Sequence, residues 1–352
     1  MKVAIVNDMP LAIEALQRAL AHDPSLQVCW VARSGEEAIT RCATDRPDVM
    51  LMDLIMPGID GVETTKRIMA SSPCAIVIVT GDIQRQTNRI FEAMGHGALD
   101  VTGTPVLGGK DPAGEAQALL RKIRNVGWLI GRAAITRKPA AAAPATRGLP
   151  GQLLAIGASA GGPAALAQLL ARLPVDFPAA IVLVQHVDAA FAAGMAEWLA
   201  TQISLPVRLA RVGEQPLPGT VLLAGTADHL RLLEDQTLDY CAEPRAALYR
   251  PSIDVFFDSV SRHWRGPAVG VLLTGMGRDG AEGLKSMRQH GFLTIAQDQA
   301  TSAVYGMPKA AAAIDAADRI MPLGLIAPLL ITHFAPDASR QAQGSGHERG
   351  AR

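Results

Sequence analysis

The sequence predicts an α/β protein built from two doubly wound parallel-sheet domains, and three observations carry that reading. Short β-branched and aliphatic runs alternate with amphipathic helical segments along nearly all of the 352 residues. The alternation is interrupted once, by an Ala/Pro/Gly-rich stretch between about residues 130 and 150. The polar residues of interest stand where strand runs stop, which is where open α/β sheets bind their ligands. A chain of this length suits two domains, each large enough to bury a core.

Composition narrows the class. Hydrophobic residues make up 49% and charged residues 19%, as in a globular protein. Lys plus Arg equals Asp plus Glu at 33 each, so net charge favours neither nucleic acid nor an anionic membrane as partner. Cys29, Cys42, Cys74 and Cys241 lack CxxC or metal-ligand spacing and read as reduced, buried thiols of a cytoplasmic protein. The opening "MKVAIVNDMP" reaches Asn7 and Asp8 too soon for a signal peptide and reads as a first strand. Near the end, "LGLIAPLLITHF" contains a proline and falls short of the roughly 20 residues that span a bilayer, so no membrane insertion is expected.

In the first domain "KVAIV" is a strand, and "LAIEALQRAL" a helix with Ala12, Leu16, Ala19 and Leu20 on one face. "QVCWVA" follows as a strand, and Ser34 with Glu37 forms a capping box for the next helix. "DVMLMD", "AIVIVTG" and "ALDVTG" complete a five-stranded sheet. Asn7 and Asp8 follow the first strand, Asp53 the third and Thr80 the fourth. Two acids and a hydroxyl would converge on one oxygen-rich pocket, which suits Mg²⁺. With the metal bound, Asp53 can accept a phosphoryl group as an acyl phosphate while Thr80 hydrogen-bonds a phosphoryl oxygen. For any one of these acids alone, capping the following helix is the simpler role.

The prolines of "IGRAAITRKPAAAAPATRGLPG" argue for a semi-rigid extended linker, and "PDASRQAQGSGHERGAR" reads as a disordered tail. Between them "QLLAIGAS", "AAIVLVQH", "PVRLARV", "TVLLAG", "AVGVLLTG" and "LTIAQD" are strands, separated by helical stretches such as "PAALAQLLARL". "GASAGG" places Ser159 among glycines at a strand end, as in a nucleophile elbow, although a phosphate cradle or a bare turn has the same composition. His186 follows "IVLVQ", and Asp279 lies in "TGMGRDG". Serine, histidine and aspartate are the parts of a hydrolytic triad, with histidine as general base and aspartate holding its tautomer. The order Ser, His, Asp differs from the Ser, Asp, His of α/β-hydrolases, so the standard esterase fold is disfavoured. Taken singly, His186 is a strand-end histidine bonded to a carbonyl and Asp279 a turn residue. The N–H of Ala160, next to the serine, is a geometric candidate for an oxyanion donor.

About the first 125 residues resemble the receiver domain of bacterial response regulators, through "IVND", "MLMDLIMPGIDGVE", "VIVTG" and "GALD....P". Nearly the whole chain resembles the chemotaxis-type protein-glutamate methylesterases, the CheB family, through "IGASAGGP", "LVQH", "YRPSIDVFF", "LLTGMGRDGAEG" and "VYGMPKAA". The resemblance implies a flavodoxin-like receiver over residues 1–125, a linker over 126–149, an α/β/α methylesterase domain over 150–335 and a tail over 336–352. It implies Asp53 as phosphoacceptor, Mg²⁺ held by Asp8, Asp53 and the carbonyl of Ile55, and Thr80 against the phosphoryl group. It makes Ser159 the nucleophile, His186 the base, Asp279 the third triad member, and Met276 an oxyanion donor through its N–H.

The implied activity is hydrolysis of glutamate γ-methyl esters, with deamidation of glutamines, on the cytoplasmic domain of a methyl-accepting chemoreceptor. No cofactor is implied for that step. A CheA-type histidine kinase is the implied phosphodonor, and phosphorylation relieves an obstruction of the catalytic cleft by the receiver. The chain departs from the pattern at Asn7, where an acid is usual, at Thr104, where a lysine precedes the proline, and at Ala160, where threonine is usual. "NDMP" and "DVTGTP" resemble the Wsp-type surface-sensing branch. Two alternatives remain open at this point: a receiver-regulated esterase acting on a small acyl ester, and a non-catalytic binding module.

Overall fold

The computed structural model describes residues 1–82, 85–105, 114, 116–117, 119–124 and 151–335. The expected linker over 126–149 and tail over 336–352 lie outside the described residues.

The first unit runs β1 (Lys2–Val6), α1 (Pro10–Leu20), β2 (Gln27–Ala32), α2 (Gly35–Thr44), β3 (Val49–Met52), α3 (Gly61–Ser71), β4 (Ala75–Thr80), α4 (Thr87–Gly95) and β5 (Asp100–Gly103). A further helix, α5, is described over residues 119–124. The strands form a parallel sheet in the order β2-β1-β3-β4-β5. Alternate residues face opposite layers. Val3, Ile5, Leu51 and Val79 pack with α1 and α5, whereas Ala4, Val6, Met50 and Ile78 pack with α2, α3 and α4.

Two local expectations are corrected. The buried stripe of α1 is Ile13, Ala15, Leu16, Ala19 and Leu20, and Ala12 sits half-buried at its margin, because the face is centred one position later. At α2 the Ser34 hydroxyl accepts from the N–H of Glu37 (3.2 Å), but the Glu37 carboxylate reaches past Ser34 to the N–H of Arg33 (2.8 Å). Of the four cysteines, all free, only Cys42 is fully buried.

The second unit runs β6 (Gln152–Ala158), α6 (Gly162–Leu170), β7 (Ala179–Gln185), α7 (Ala189–Gln202), β8 (Val207–Leu209), β9 (Val221–Leu223), β10 (His229–Leu232) and β11 (Leu238–Cys241). It continues through α8 (Ile253–His263), β12 (Ala268–Leu272), α9 (Ala281–Gln289), β13 (Leu293–Gln297), α10 (Met307–Ala313), β14 (Arg319–Met321) and α11 (Leu323–Phe334). Seven parallel strands lie in the order β14-β13-β12-β6-β7-β9-β8, and β10 with β11 forms a separate antiparallel hairpin. The hairpin and β14 are not among the strands that the sequence predicts; His229, Arg231, Asp239 and Arg319 break up their aliphatic content. One face of the sheet packs on α6, α7 and α11, the other on α8, α9, α10 and the hairpin.

The chain leaves β6 for β7 on one side while β12 lies on the other, so a crevice opens at the carboxyl ends of these three strands. The two units touch where α4 packs on α6 and α7, with Phe91 stacked on Trp198 at 6.0 Å between ring centres. Buried side chains form one continuous cluster across this contact.

Candidate active site and phosphoacceptor site

Register brings the catalytic candidates together. Ala158 of β6 pairs with Gln185 of β7, so Ser159 and His186 emerge side by side at adjacent strand ends. Leu272 of β12 pairs with Gly157 on the other flank, and the loop beyond it returns with Asp279. The turn at Ser159 needs its small residues. A Cβ on Gly157 would lie 2.4 Å from Cγ2 of Ile253, and Gly161 adopts a left-handed φ of 73° at the start of α6. The Ser159 N–H donates to Thr274 O (3.0 Å), and its carbonyl accepts from Gly162 N–H (2.7 Å) and from the buried Gln185 amide (2.8 Å). That commits the Gly162 N–H internally and removes it from a phosphate cradle.

His186 Nε2 lies 2.7 Å from Asp279 Oδ2. A carboxylate accepts, so Nε2 carries the proton and Nδ1 keeps its lone pair. Nδ1 is buried without a partner among the described residues. Among the described residues no hydrogen bond joins the ring to Ser159 Oγ. The imidazole lies flat on Tyr249, with ring centres 4.2 Å apart and planes 7° from parallel. The carbonyl partner expected of an isolated strand-end histidine is replaced by a carboxylate.

Asp279 is more than a turn residue. Its Oδ2 also accepts from Ile253 N–H (2.7 Å), and Oδ1 accepts from the Ser252 hydroxyl (2.8 Å) and Asp254 N–H (3.1 Å). The two N–H groups open α8, so the carboxylate sits at the positive end of a helix. Burial pushes this carboxyl up, but the donors from His186, Ile253 and Ser252 outweigh it and hold it below the ordinary carboxylate value. Asp254, close by, is pushed up to about 7 by burial and by Asp279, against the pull of Gly283 N–H.

Among the described residues no acceptor takes the N–H of Ala160 or of Met276. Gly275, before Met276, abuts the nucleophile: a Cβ there would lie 2.7 Å from Ser159 Cβ. Both N–H groups are therefore uncommitted among the described residues. Sequence reasoning did not single out Gln185, Tyr249, Ser252 or Thr274. Only Ser252 carried a local signal, a serine directly before an apolar helical run in "YRPSIDVFF".

In the first unit Asp53 follows β3, and its Oδ1 accepts from Leu54 N–H (2.7 Å) and Ile55 N–H (3.4 Å). Its Oδ2 accepts from the Asn7 amide (3.0 Å), whose own oxygen is taken by Met9 N–H (2.8 Å). Asn7 thus presents its NH₂ to Asp53. Burial, with Asp8 adding to it, pushes Asp53 up to about 6 against the N–H groups of Ile55 and Leu54. Thr80, at the neighbouring strand end, is buried with its hydroxyl unpartnered among the described residues. Thr104 N–H donates to Thr80 O (3.1 Å), which places the uncharged Thr104 beside it. Gly61 lets α3 approach, since a Cβ there would meet Asp53 O at 2.0 Å.

No cluster of three or more His, Cys, Asp or Glu suited to a metal occurs among the described residues. Two carboxylates that act on each other, Asp8 and Asp53, still fit Mg²⁺, which takes few protein ligands and keeps waters. The repulsion that Asp8 exerts on Asp53 is what a divalent cation offsets.

A doubly wound sheet with an acidic site, joined to an α/β domain whose strand ends gather serine, histidine and aspartate, defines a response regulator with an enzymatic output domain. Residues 3–103 match the response regulator receiver domain, and residues 154–330 match the CheB methylesterase domain. The chain belongs to the CheB methylesterase family. It is 65% identical over 334 residues to protein-glutamate methylesterase/protein-glutamine glutaminase 3 of Pseudomonas aeruginosa, covering 95% of this chain and 100% of that one. It is 63% identical over 341 residues to protein-glutamate methylesterase/protein-glutamine glutaminase 1 of Bordetella avium, covering 96% and 99%. The crystal structure of the Thermotoga maritima CheB methylesterase catalytic domain matches with a TM-score of 0.51 at 33% identity, covering 53% of this chain and 100% of that one. As a receiver-containing protein, the chain is of the class phosphorylated on aspartate with Mg²⁺. No helix among the described residues is long and apolar enough to cross a membrane.

Proposed function

We propose that this chain hydrolyses glutamate γ-methyl esters, and deamidates glutamines, on the cytoplasmic helical bundle of a methyl-accepting chemoreceptor, under control of aspartyl phosphorylation. The observation that carries the chemistry is His186, with Nε2–H committed to Asp279 and Nδ1 bare, at the strand end next to the one that bears Ser159. Ser159 Oγ attacks the ester carbonyl and its proton passes to Nδ1, while Asp279 stabilises the imidazolium. The N–H groups of Ala160 and Met276 receive the oxyanion. Collapse releases methanol, or ammonia from a glutamine, which takes the proton from Nδ1. Water then gives a proton to Nδ1, attacks the acyl carbon and frees the carboxylate and Ser159. These steps use side chains and backbone alone. Each ester turnover converts a neutral group on the receptor into a negative one.

The substrate assignment draws on the relatives' names, and a cytoplasmic location follows from that substrate. Asp53 is the proposed phosphoacceptor, with Thr80 against the phosphoryl group and a CheA-type histidine kinase as donor. Asp8, Asp53 and the Ile55 carbonyl would hold Mg²⁺, which when bound neutralises charge between carboxylate and phosphoryl oxygens. The α4 contact supports a route from receiver to active site, because α7 begins at Ala189, just after His186. Thr104 and the "NDMP" start support placement in the surface-sensing branch.

The test is mass spectrometry of methylated receptor fragments incubated with the protein. Methyl-ester loss is expected with wild type, and Ser159→Ala is expected to lower it by several orders of magnitude with the fold intact. Wild-type turnover by Ser159→Ala rejects the nucleophile, and activity on small esters but on no receptor replaces the substrate.

A further inference from the structure

We infer that Ser252 is a fourth, positioning member of the hydrolytic centre, whose hydroxyl proton is committed to Asp279 and which is itself held by the buried His229. The inference rests on the triad reading and deepens it. Ser252 is 4% exposed and stands immediately before α8. Its Oγ has one proton, and that proton points to Asp279 Oδ1 at 2.8 Å, leaving a lone pair for the long contact from Val255 N–H at 3.4 Å. The hydroxyl is thus both the cap of α8 and a donor to the triad carboxylate.

The backbone of Ser252 is held as firmly. Its N–H donates to Nδ1 of His229 (3.0 Å), and His229 Nε2 lies 3.2 Å from the carbonyl of Pro244. An amide N–H only donates and a carbonyl only accepts, so these partners allow one tautomer: bare Nδ1, protonated Nε2, neutral ring. His229 has no exposed surface and belongs to the β10–β11 hairpin, which anchors it away from solvent. A second proton on this ring would set donor against donor at the Ser252 N–H.

The consequence falls on Asp279. With Ser252 on Oδ1 and Ile253 N–H on Oδ2, the carboxylate cannot rotate without breaking bonds to buried donors, so Oδ2 stays aimed at His186. The titratable groups facing Asp279 are His186 beyond β7, Tyr249 in the loop before α8, and Asp254 on α8. Removing the hydroxyl leaves the carboxylate charge less shared, which strengthens its hold on a protonated His186 and loosens its geometry.

The test uses the full-length chain with Ser252→Gly, Ser252→Ala and Ser252→Thr, measuring kcat, KM, the acid limb of kcat and Tm. Glycine keeps most of the capping preference of serine but has no hydroxyl, so it separates the two roles. Ser252→Gly and Ser252→Ala are expected to lower kcat about tenfold, the value of one hydrogen bond to a charged group, with KM little changed and the acid limb moved to higher pH. Ser252→Thr is expected to restore both. The inference is overturned if Ser252→Gly keeps wild-type kcat and acid limb. It is equally overturned if the loss follows Tm alone and Ser252→Thr does not rescue it. In the same assay an active Ser159→Ala brings down the triad reading itself, whereas an inactive Ser159→Ala beside a wild-type Ser252→Gly brings down only this inference.

Discussion

Asp53 carries a burden that its neighbours only partly lift. An aspartate in an unfolded chain titrates near about 4, whereas burial and Asp8 raise Asp53 to about 6. Between those values the folded chain holds the proton more tightly than the unfolded one, so this contribution to stability is full at low pH and is lost as pH rises through about 6. Asp53→Asn removes that loss. The variant is expected to exceed wild type by about 1 kcal/mol at neutral pH in a chelator, a value kept small because the side chain is partly exposed. The gap should close near pH 4, and Mg²⁺ should stabilise wild type but not Asp53→Asn. Thermal melts across pH, with and without Mg²⁺, check this. Equal Tm values throughout would show that Asp53 is not under strain.

The start of α8 links packing to chemistry at the scale of an element. Its first N–H groups hold Asp279, and its first side chain, Ile253, fills the space that Gly157 leaves beside the elbow. In Gly157→Ala the added methyl cannot fit at 2.4 Å from Ile253, so either α8 or β6 must shift. Overpacking of this kind costs roughly 1–3 kcal/mol, and here the displaced groups are those that orient the triad. We expect Gly157→Ala to lose most esterase activity while Asp53 still accepts phosphate, because the receiver sheet is untouched. Phosphodonor labelling and ester hydrolysis measured on one preparation decide it. Full esterase activity would show that α8 yields without moving Asp279.

Across the whole molecule, the contact between α4 and the α6–α7 layer is the feature through which receiver state reaches the catalytic domain in the proposed scheme. Gly95 faces Trp198 there, and a Cβ would meet the indole at 2.9 Å. Gly95→Leu drives a wedge into this contact from the receiver side and leaves every catalytic residue unaltered. If the contact restrains the enzyme, the variant should show higher turnover without phosphodonor and a smaller response to it. Unchanged basal turnover would place the control elsewhere. The same contact merges buried residues of both units into one cluster, so the wedge should also lower Tm.

The sequence by itself determined the two sheets, the placement of Asp53, Thr80, Ser159 and His186 at strand ends and of Asp279 in the loop after β12, and the family, because period, turn residues and short motifs are local properties of the chain. Even there, β10, β11 and β14 are not legible, since His229, Arg231, Asp239 and Arg319 leave these short segments no aliphatic run. What only the tertiary structure decided is which groups meet. His186 and Asp279 are 93 positions apart, and Ser252 and Asp279 are 27 apart, so their bonds depend on strand order and on where α8 begins. The free ring nitrogen of His186, the Tyr249 stack and the His229 clamp have no local signature either. Each is set by packing among distant segments, which no window along the chain contains.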